Sequence, residues 1–190
     1  MSKLKLDFLN TSDRELVVLA LKNPDDFVYI VEKYKARLRR YIQRMTNVRE
    51  EEIEDILQNI FIKAYLNLND FDHNLSFSSW IYRIAHNEII DNFRRLKARP
   101  QLLDTDIKDS YIKELASDSN FLDEMSRQEE IDKIRLALAK LDIKYQEIII
   151  LKFLEEKDYQ EIADIIKKPL GTVASRLNKA KKELRKKIVV

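Results

Sequence analysis

The sequence predicts an all-α protein: two small helical domains joined by a tether. Three observations carry that reading. One glycine and three prolines in 190 residues leave little of the turn chemistry that strands and hairpins need. Leu, Ile, Lys, Glu and Arg are abundant, a composition that favours helix. Apolar residues recur at helical spacing on both sides of a polar, acidic stretch that lacks it. Hydrophobic residues make up 45% of the chain, enough to build cores and to exclude global disorder.

The first element is announced by "TSDREL", in which Ser12 is followed three residues later by Glu15, a capping-box pattern. Before it, "MSKLKLDFLN" lacks the continuous apolar segment of a signal peptide. The longest apolar runs, "LVVLAL" and "IIIL", are too short to cross a bilayer, so a cytoplasmic protein without membrane insertion is expected. A second helix follows Pro24 over 25–45, and a third spans 51–68. "NDFDHNLS" breaks the pattern, and a fourth helix covers 78–96. Residues 97–127 hold Pro100 and many Asp and Ser and read as a linker. Residues 128–188 return to helical period, as four short helices. The expected domains are therefore 12–96 and 128–188.

The net charge of +2 conceals a strong segregation. Lys33, Lys35, Arg37, Arg39, Arg40, Arg44 and Arg49 form a block with no acidic residue. From 104 to 132, ten acidic residues face three basic ones; from 167 to 190, nine basic residues face the single acid Glu183. Clustered basic residues on a helix are the electrostatic footprint of a nucleic-acid binder, although a solvated lysine face has the same composition.

The single glycine, Gly171, lies in "IIKKPLGTVASRL". Ahead of it Ile162, Ala163, Ile165 and Ile166 mark the apolar side of a short helix, with Ala163 small enough for close helix approach. After it Val173, Leu177, Ala180 and Leu184 form one narrow apolar stripe. Ser175, Asn178, Lys179, Lys182 and Lys186 lie opposite, with Arg176 at the flank. This is a helix-turn-helix layout, with a turn expected over 168–171 and Gly171 expected to supply a positive φ or a close backbone approach. Any helical hairpin with glycine in its turn produces a similar pattern. The far face distinguishes this one: Lys and Arg suit phosphate, and Ser and Asn suit base edges.

"LAKLDIKYQEIIILKFLEEKDYQEIADIIKKPLGTVASRLNKAKKELRK" resembles region four, the C-terminal DNA-binding part, of bacterial RNA polymerase sigma factors. Pro169, Gly171, Thr172, Val173, Ser175 and Arg176 resemble the extracytoplasmic-function (ECF) subfamily in particular. "EDILQNIFIKAYLNLNDFDHNLSFSSWIYRIAHNEIIDNFRR" is similar to region two, with its D-x-x-Q-x-x-F, F-x-x-W, I-A-x-N and D-x-x-R-R landmarks. The two stretches stand in the family's order with its linker between them.

The resemblance implies a promoter-specificity subunit. Asp55, Gln58, Asn59, Phe61 and Ile62, on successive turns of one helix, would meet the polymerase clamp helices. Acidic and amide groups beside apolar side chains suit a partly polar protein interface. Asn59 stands where relatives commonly carry glutamate, which removes one charge-assisted contact. Asn74, Ser76, Phe77 and Trp80, with the stripe Arg83, Asn87 and Arg94, would engage the single-stranded minus-ten element, since captured bases need aromatic walls and hydrogen-bond partners. Trp80 also suits a core anchor. ECF members carry a sparser aromatic melting surface than housekeeping sigma factors, and so does this chain. Thr172, Ser175, Arg176, Asn178, Lys179 and Lys182 would read the minus-thirty-five duplex, with Ala174 standing where relatives often have Lys or Arg. The apolar faces of region four would bind the polymerase flap. The linker would thread the polymerase cleft, where an acidic strand suits a basic wall, though a plain soluble tether has the same composition. Many ECF proteins are held by an anti-sigma factor, so such a partner is implied, and a monomer is expected for the free chain. The basic helix suits either phosphates or polymerase.

No enzyme is expected. His73 and His86 form no i, i+4 metal pair, one glycine cannot make a phosphate-cradling loop, and no Gly-x-Ser-x-Gly elbow exists. Without cysteine, disulfides and thiolate metal sites are excluded. No cofactor or metal is expected. Two rivals, a stand-alone helix-turn-helix regulator binding duplex DNA as a dimer and a helical adaptor, need neither a clamp-binding helix nor the aromatic loop after it.

Overall fold

The computed structural model describes residues 9–46, 48–72, 75–98 and 133–188, and among these every regular element is helical. α1 (Asp13–Lys22) starts on the expected capping box: the Ser12 hydroxyl accepts from the Glu15 N–H, and the Glu15 carboxylate accepts from the Ser12 N–H at 3.0 Å. The Ser12 hydroxyl also donates to that carboxylate at 2.6 Å, and this bond, with the one from the Ser12 N–H, holds the Glu15 carboxyl below its ordinary pKa. Pro24–Asp26 form a single 3₁₀ turn before α2 (Phe27–Met45), so the helix expected from 25 begins two residues later.

α2 buries Phe27, Ile30, Tyr34, Leu38, Tyr41, Ile42 and Met45, one stripe at spacings of three and four. α3 (Glu50–Leu66) buries Ile53, Ile56, Leu57, Ile60, Phe61 and Ala64 against it. A 3₁₀ turn at Leu68–Asp70 stops the chain before α4 (Phe77–Ala98). Ser76 is the N-cap of α4, its hydroxyl accepting from the Ser79 N–H at 3.3 Å and its carbonyl from the Trp80 N–H at 3.0 Å. Full burial of each large apolar side chain here is worth about 1.5–3 kcal/mol, and this sum holds the four helices together.

In the second half, helical residues 133–139 (α5) precede α6 (Ile143–Ile149), which Asp142 caps by accepting from the Lys144 N–H. α6 widens into a π turn over Ile150–Leu154, where the Glu155 N–H reaches back five residues to the Ile150 carbonyl. The run Ile148–Leu151 is buried throughout. α7 (Tyr159–Ile166) opens on a second capping box, Asp158 with Glu161. α8 (Leu170–Ile188) buries Val173, Leu177 and Ala180 as expected, with Leu184 partly covered.

The turn between α7 and α8 differs from expectation. Lys167, not Gly171, adopts the left-handed conformation, at φ 51°. Its Cα closes α7 while the Lys168 N–H bonds the Ala163 carbonyl, a left-handed C-cap. Pro169 then caps α8 through its carbonyl, which accepts from Thr172 and Val173. Gly171 therefore sits inside the first turn of α8, with negative φ and open space where a Cβ would project. Nothing in the fold requires glycine at this position. We expect Gly171→Ala to raise stability by about 0.5–1 kcal/mol, because alanine loses less backbone entropy in a helix. Urea midpoints of the two proteins measure it, and a lowered midpoint would contradict this reading of the turn.

The two halves pack together rather than standing apart, and one apolar cluster runs through both. α4 lies along α7, and α2 meets α6 and its π turn. The acidic stretch around the 97–127 linker, and Asn74 of the aromatic loop, lie outside the described residues.

Candidate functional site

Three surfaces carry the residues singled out from sequence. The first is an open groove of about 520 Å³ between α2 and α3, floored by Phe27, Val31, Leu57 and Phe61 and rimmed by Ile62 and Tyr65. Phe27 and Tyr65 meet edge to face, with centroids 5.2 Å apart. Asp55, Gln58 and Asn59 are exposed, the first two on the wall of this groove; Phe61 is in the core beneath it, and Ile62 projects outward at 48% exposure. An exposed carboxylate and amide thus stand beside a large apolar trough.

The basic block on and after α2 flanks this groove, and three of its seven residues are committed elsewhere. Lys33 pairs with Asp13 at 2.9 Å and also donates to the Thr11 carbonyl. Arg39 bridges Glu50 and Glu54 of α3, and Arg44 reaches Glu155 in the other half of the chain. These three basic residues thus serve the internal charge balance of the helix bundle. Of this block, Lys35 lines the groove itself.

The second surface lies on α3 and α4. Phe77, expected to face single-stranded DNA, is instead in the core at 4% exposure, edge-on to Tyr34 and Phe71. Position 77 opens α4 on its inner face, so the aromatic ring has no route to solvent. Ser76 is exposed, yet its hydroxyl is occupied as the cap of α4. Trp80 combines both of its candidate roles. One side of its indole packs on Phe71 and Phe77, and another lines a hollow of about 340 Å³ with Ile84, Asn87, Lys63, Asn67 and Asp70. Asn87 and Arg94 are exposed, Arg94 beside Asp91 at 3.2 Å. Arg83 departs from this stripe: half-buried, it donates from Nε to the Asp164 carbonyl of α7 at 2.7 Å.

The third surface is the outer face of α8. Ser175, Asn178, Lys179 and Lys182 are exposed along it, with Thr172 and Arg176 half-buried at its edge. The Ser175 hydroxyl donates to the Thr172 carbonyl, and Lys179 lies 5.7 Å from the centroid of the Tyr145 ring. The apolar stripe of α8 faces α6 and α7, so the basic face points away from the core.

A fourth cluster, between the halves, has no counterpart in the sequence reading. Glu147, 5% exposed, accepts from the Tyr41 hydroxyl at 2.9 Å and contacts His86 Nδ1. Glu155 accepts from Arg44 at 2.6 Å and from the Tyr82 hydroxyl at 2.5 Å. Lys157, 8% exposed, donates to the Ser78 hydroxyl at 2.6 Å, pairs with Glu161 and lies over the Tyr82 ring. The only available sequence signal is a carboxylate inside "YQEIIIL", at a position where helical period demands burial.

Burial, reinforced by Glu147 and Glu155, pushes the Tyr41 and Tyr82 hydroxyls well above the ordinary phenol range, and burial with Asp13 does the same for Tyr34. The fold thus favours the neutral phenol. Stability from these groups is complete below the unfolded phenol pKa of about 10 and is lost as pH rises beyond it. In an alkaline titration of the eight tyrosines, these three are expected to give tyrosinate absorbance only together with loss of helical circular dichroism. Their ionisation in the fully helical protein would contradict it.

Among the described residues no group of three or more His, Asp or Glu is placed to hold a metal, and no helix is long and apolar enough to cross a membrane.

Comparison with known proteins gives these surfaces a common context. Residues 30–99 match the family model described as Sigma-70 region 2, and residues 131–184 match Sigma-70, region 4. The ECF RNA polymerase sigma factor SigW of Bacillus subtilis (strain 168) is 36% identical over 170 residues, covering 86% of this chain and 89% of that protein. The ECF RNA polymerase sigma-E factor of Escherichia coli (strain K12) is 28% identical over 170 residues, covering 85% and 86%. Two solved structures share the fold. CnrH, in complex with the cytosolic domain of CnrY, has a TM-score of 0.65 at 22% identity, covering 91% of this chain and 94% of that one. The sigma factor RpoE of Bartonella quintana, in complex with the anti-sigma factor NepR, has a TM-score of 0.64 at 21% identity, covering 87% and 98%.

Proposed function

The chain belongs to the ECF sigma factors, which bind core RNA polymerase and direct it to promoters, and from that premise we propose how its surfaces divide the work. Residues 12–96 act as region two and 128–188 as region four, with 97–127 as the tether. The groove between α2 and α3 receives the polymerase clamp helices. Asp55 and Gln58 bond basic groups on them, and Ile62 and the floor around Phe61 bury their apolar side. Asn59 adds an amide where a charge would have bound more strongly.

The hollow beside Trp80, with Asn87 and Arg94 farther along α4, holds the minus-ten strand, together with Asn74 and Ser76. The indole provides a stacking wall and Asn87 a bonding partner for a base edge. The outer face of α8 enters the major groove of the minus-thirty-five duplex. There Ser175 and Asn178 reach base edges, Arg176, Lys179 and Lys182 supply base or phosphate contacts, and Thr172 sits at the helix start against the backbone. The chain acts in the cytoplasm and catalyses no reaction itself; the chemistry of initiation is the polymerase's. An anti-sigma factor, such as the NepR bound to RpoE, is the partner that would hold it inactive.

The observation that carries this reading is the pair of family matches in one chain, region two before region four, each coinciding with a surface suited to its role. Reconstituted run-off transcription tests it, with core polymerase and genomic promoter fragments in the presence and absence of this protein. Initiation that requires the chain is the expected result. DNA binding by the chain alone as a dimer, with no association with core polymerase, would overturn it in favour of a stand-alone regulator.

A further inference from the structure

We propose that Lys144 and Tyr145 of α6, a helix outside the helix-turn-helix pair, form a phosphate-binding site together with Lys179 of α8. Its ligand is the DNA backbone beside the groove that α8 enters. The proposal rests on the reading of α8 as the recognition helix; the site itself rests on the geometry around one tyrosine ring.

Tyr145 stands in the first turn of α6, its N–H bonded to the Asp142 carbonyl at 2.8 Å, and its half-buried ring packs against the core. Two ammonium groups from different helices meet that ring: Lys144 Nζ lies 5.1 Å from its centroid and Lys179 Nζ 5.7 Å. A ring face restrains an ammonium without using up its three N–H donors, so both can still bond an anion. Two positive charges gathered on one ring also repel each other, and an anion beside them offsets the repulsion. The neighbouring carboxylates do so only in part. Asp142 reaches Lys144 at 3.1 Å, in a pair with 47% and 50% of the side chains exposed, which water screens. Glu183 bonds Lys186 at 2.9 Å, and Glu147 is buried and turned toward Tyr41 and His86.

The surroundings select the anion. Lys179 belongs to the outer face of α8 with Ser175, Asn178 and Lys182, and α6 packs along α8, so Tyr145 marks the edge of that face. A helix with its side chains is roughly 10–12 Å across and the major groove about 12 Å wide, so α8 fills the groove it enters. A group standing beside α8 at the edge of its outer face then meets the strand that walls the groove rather than base edges. The acceptors there are phosphate oxygens, and contacts to them fix register without reading sequence. Lys144 is exposed at this edge. Holding both ammoniums on a core-anchored ring beforehand lowers the ordering cost of binding.

The test uses the chain bound to core polymerase and a promoter duplex carrying the minus-thirty-five element, with affinity followed from about 50 to 200 mM salt. Lys144→Gln is expected to weaken binding about 3- to 10-fold at the low-salt end and to lower the slope of log affinity against log salt by about one. Preference for the intact element over a scrambled one should stay as in wild type, and Lys144→Arg should restore the slope. Lys22→Gln, at an exposed position at the end of α1, controls for loss of a charge elsewhere in the chain and should leave the slope unchanged. Tyr145→Leu keeps an apolar anchor and removes the ring face, and should weaken binding about 2- to 5-fold. A wild-type slope in Lys144→Gln, or a fall equalled by Lys22→Gln, would overturn the site. Altered sequence preference in Lys144→Gln would overturn the backbone assignment, and wild-type affinity in Tyr145→Leu the part given to the ring. Normal binding by Arg176→Ala/Lys179→Ala overturns the reading of α8 instead, and the slope of Lys144→Gln then decides the phosphate contact by itself.

Discussion

Asp55→Ala/Gln58→Ala is expected to reduce promoter-dependent transcription by roughly 30- to 150-fold at limiting protein, equivalent to about 2–3 kcal/mol of polymerase affinity. The two side chains stand on the wall of an apolar groove, where a docked helix would exclude water from them. Truncation removes a carboxylate and an amide and leaves the partner's donors buried and unpaired, the situation in which single residues dominate an interface. Neither side chain contributes to the core, so helix content and urea midpoint should be unchanged. Competition for core polymerase against a second sigma factor measures the loss directly. Equal competition by variant and wild type would remove the groove from the polymerase interface.

The second large effect belongs to α8. Arg176→Ala/Lys179→Ala is expected to weaken binding to a minus-thirty-five duplex by about 10- to 100-fold, since a base-edge contact is worth ~1–3 kcal/mol and a phosphate contact less. Salt dependence separates the two kinds of contact. Loss of a phosphate contact lowers the slope of log affinity against log salt by about one, whereas loss of a base contact changes sequence preference at constant slope. Lys179 already lies near the Tyr145 ring, so its truncation also releases that contact; Lys182→Ala, exposed and without it, serves as the comparison. A double variant that binds as tightly as wild type would place the recognition face elsewhere.

Helix after helix was legible in the chain. The stripe of α8, the Ser12 cap and the break after α3 all follow from period and capping chemistry, which act within a turn or two of a residue. The second capping box, Asp158 with Glu161, carried the same signature and is equally local. The exposed face of α8 was also readable, because an amphipathic helix with one apolar stripe has one orientation against a core.

The errors share a cause. Gly171 suggested a left-handed turn, but Lys167 takes that conformation, and which residue does so depends on where α7 ends against its neighbours. Phe77 looked like a base platform, yet one residue at the mouth of α4 separates core from solvent. The basic helix suited either phosphates or polymerase, and what its sequence did not show is that Arg39 and Arg44 find carboxylate partners on other elements.

By itself, then, the sequence determined the helices, their apolar faces and the family, because periodicity and motif are properties of neighbouring residues. Only the tertiary structure decided which polar groups are free to act. Glu147 and Glu155 lie more than sixty residues from every group that Glu147 meets on α2 and α4, and likewise from Arg44 and Tyr82. No local rule pairs residues at such separation. Their meeting is set by the packing of α4 on α7 and of α2 on α6, and burial there gives two ordinary carboxylates phenol and basic partners from the other half of the chain.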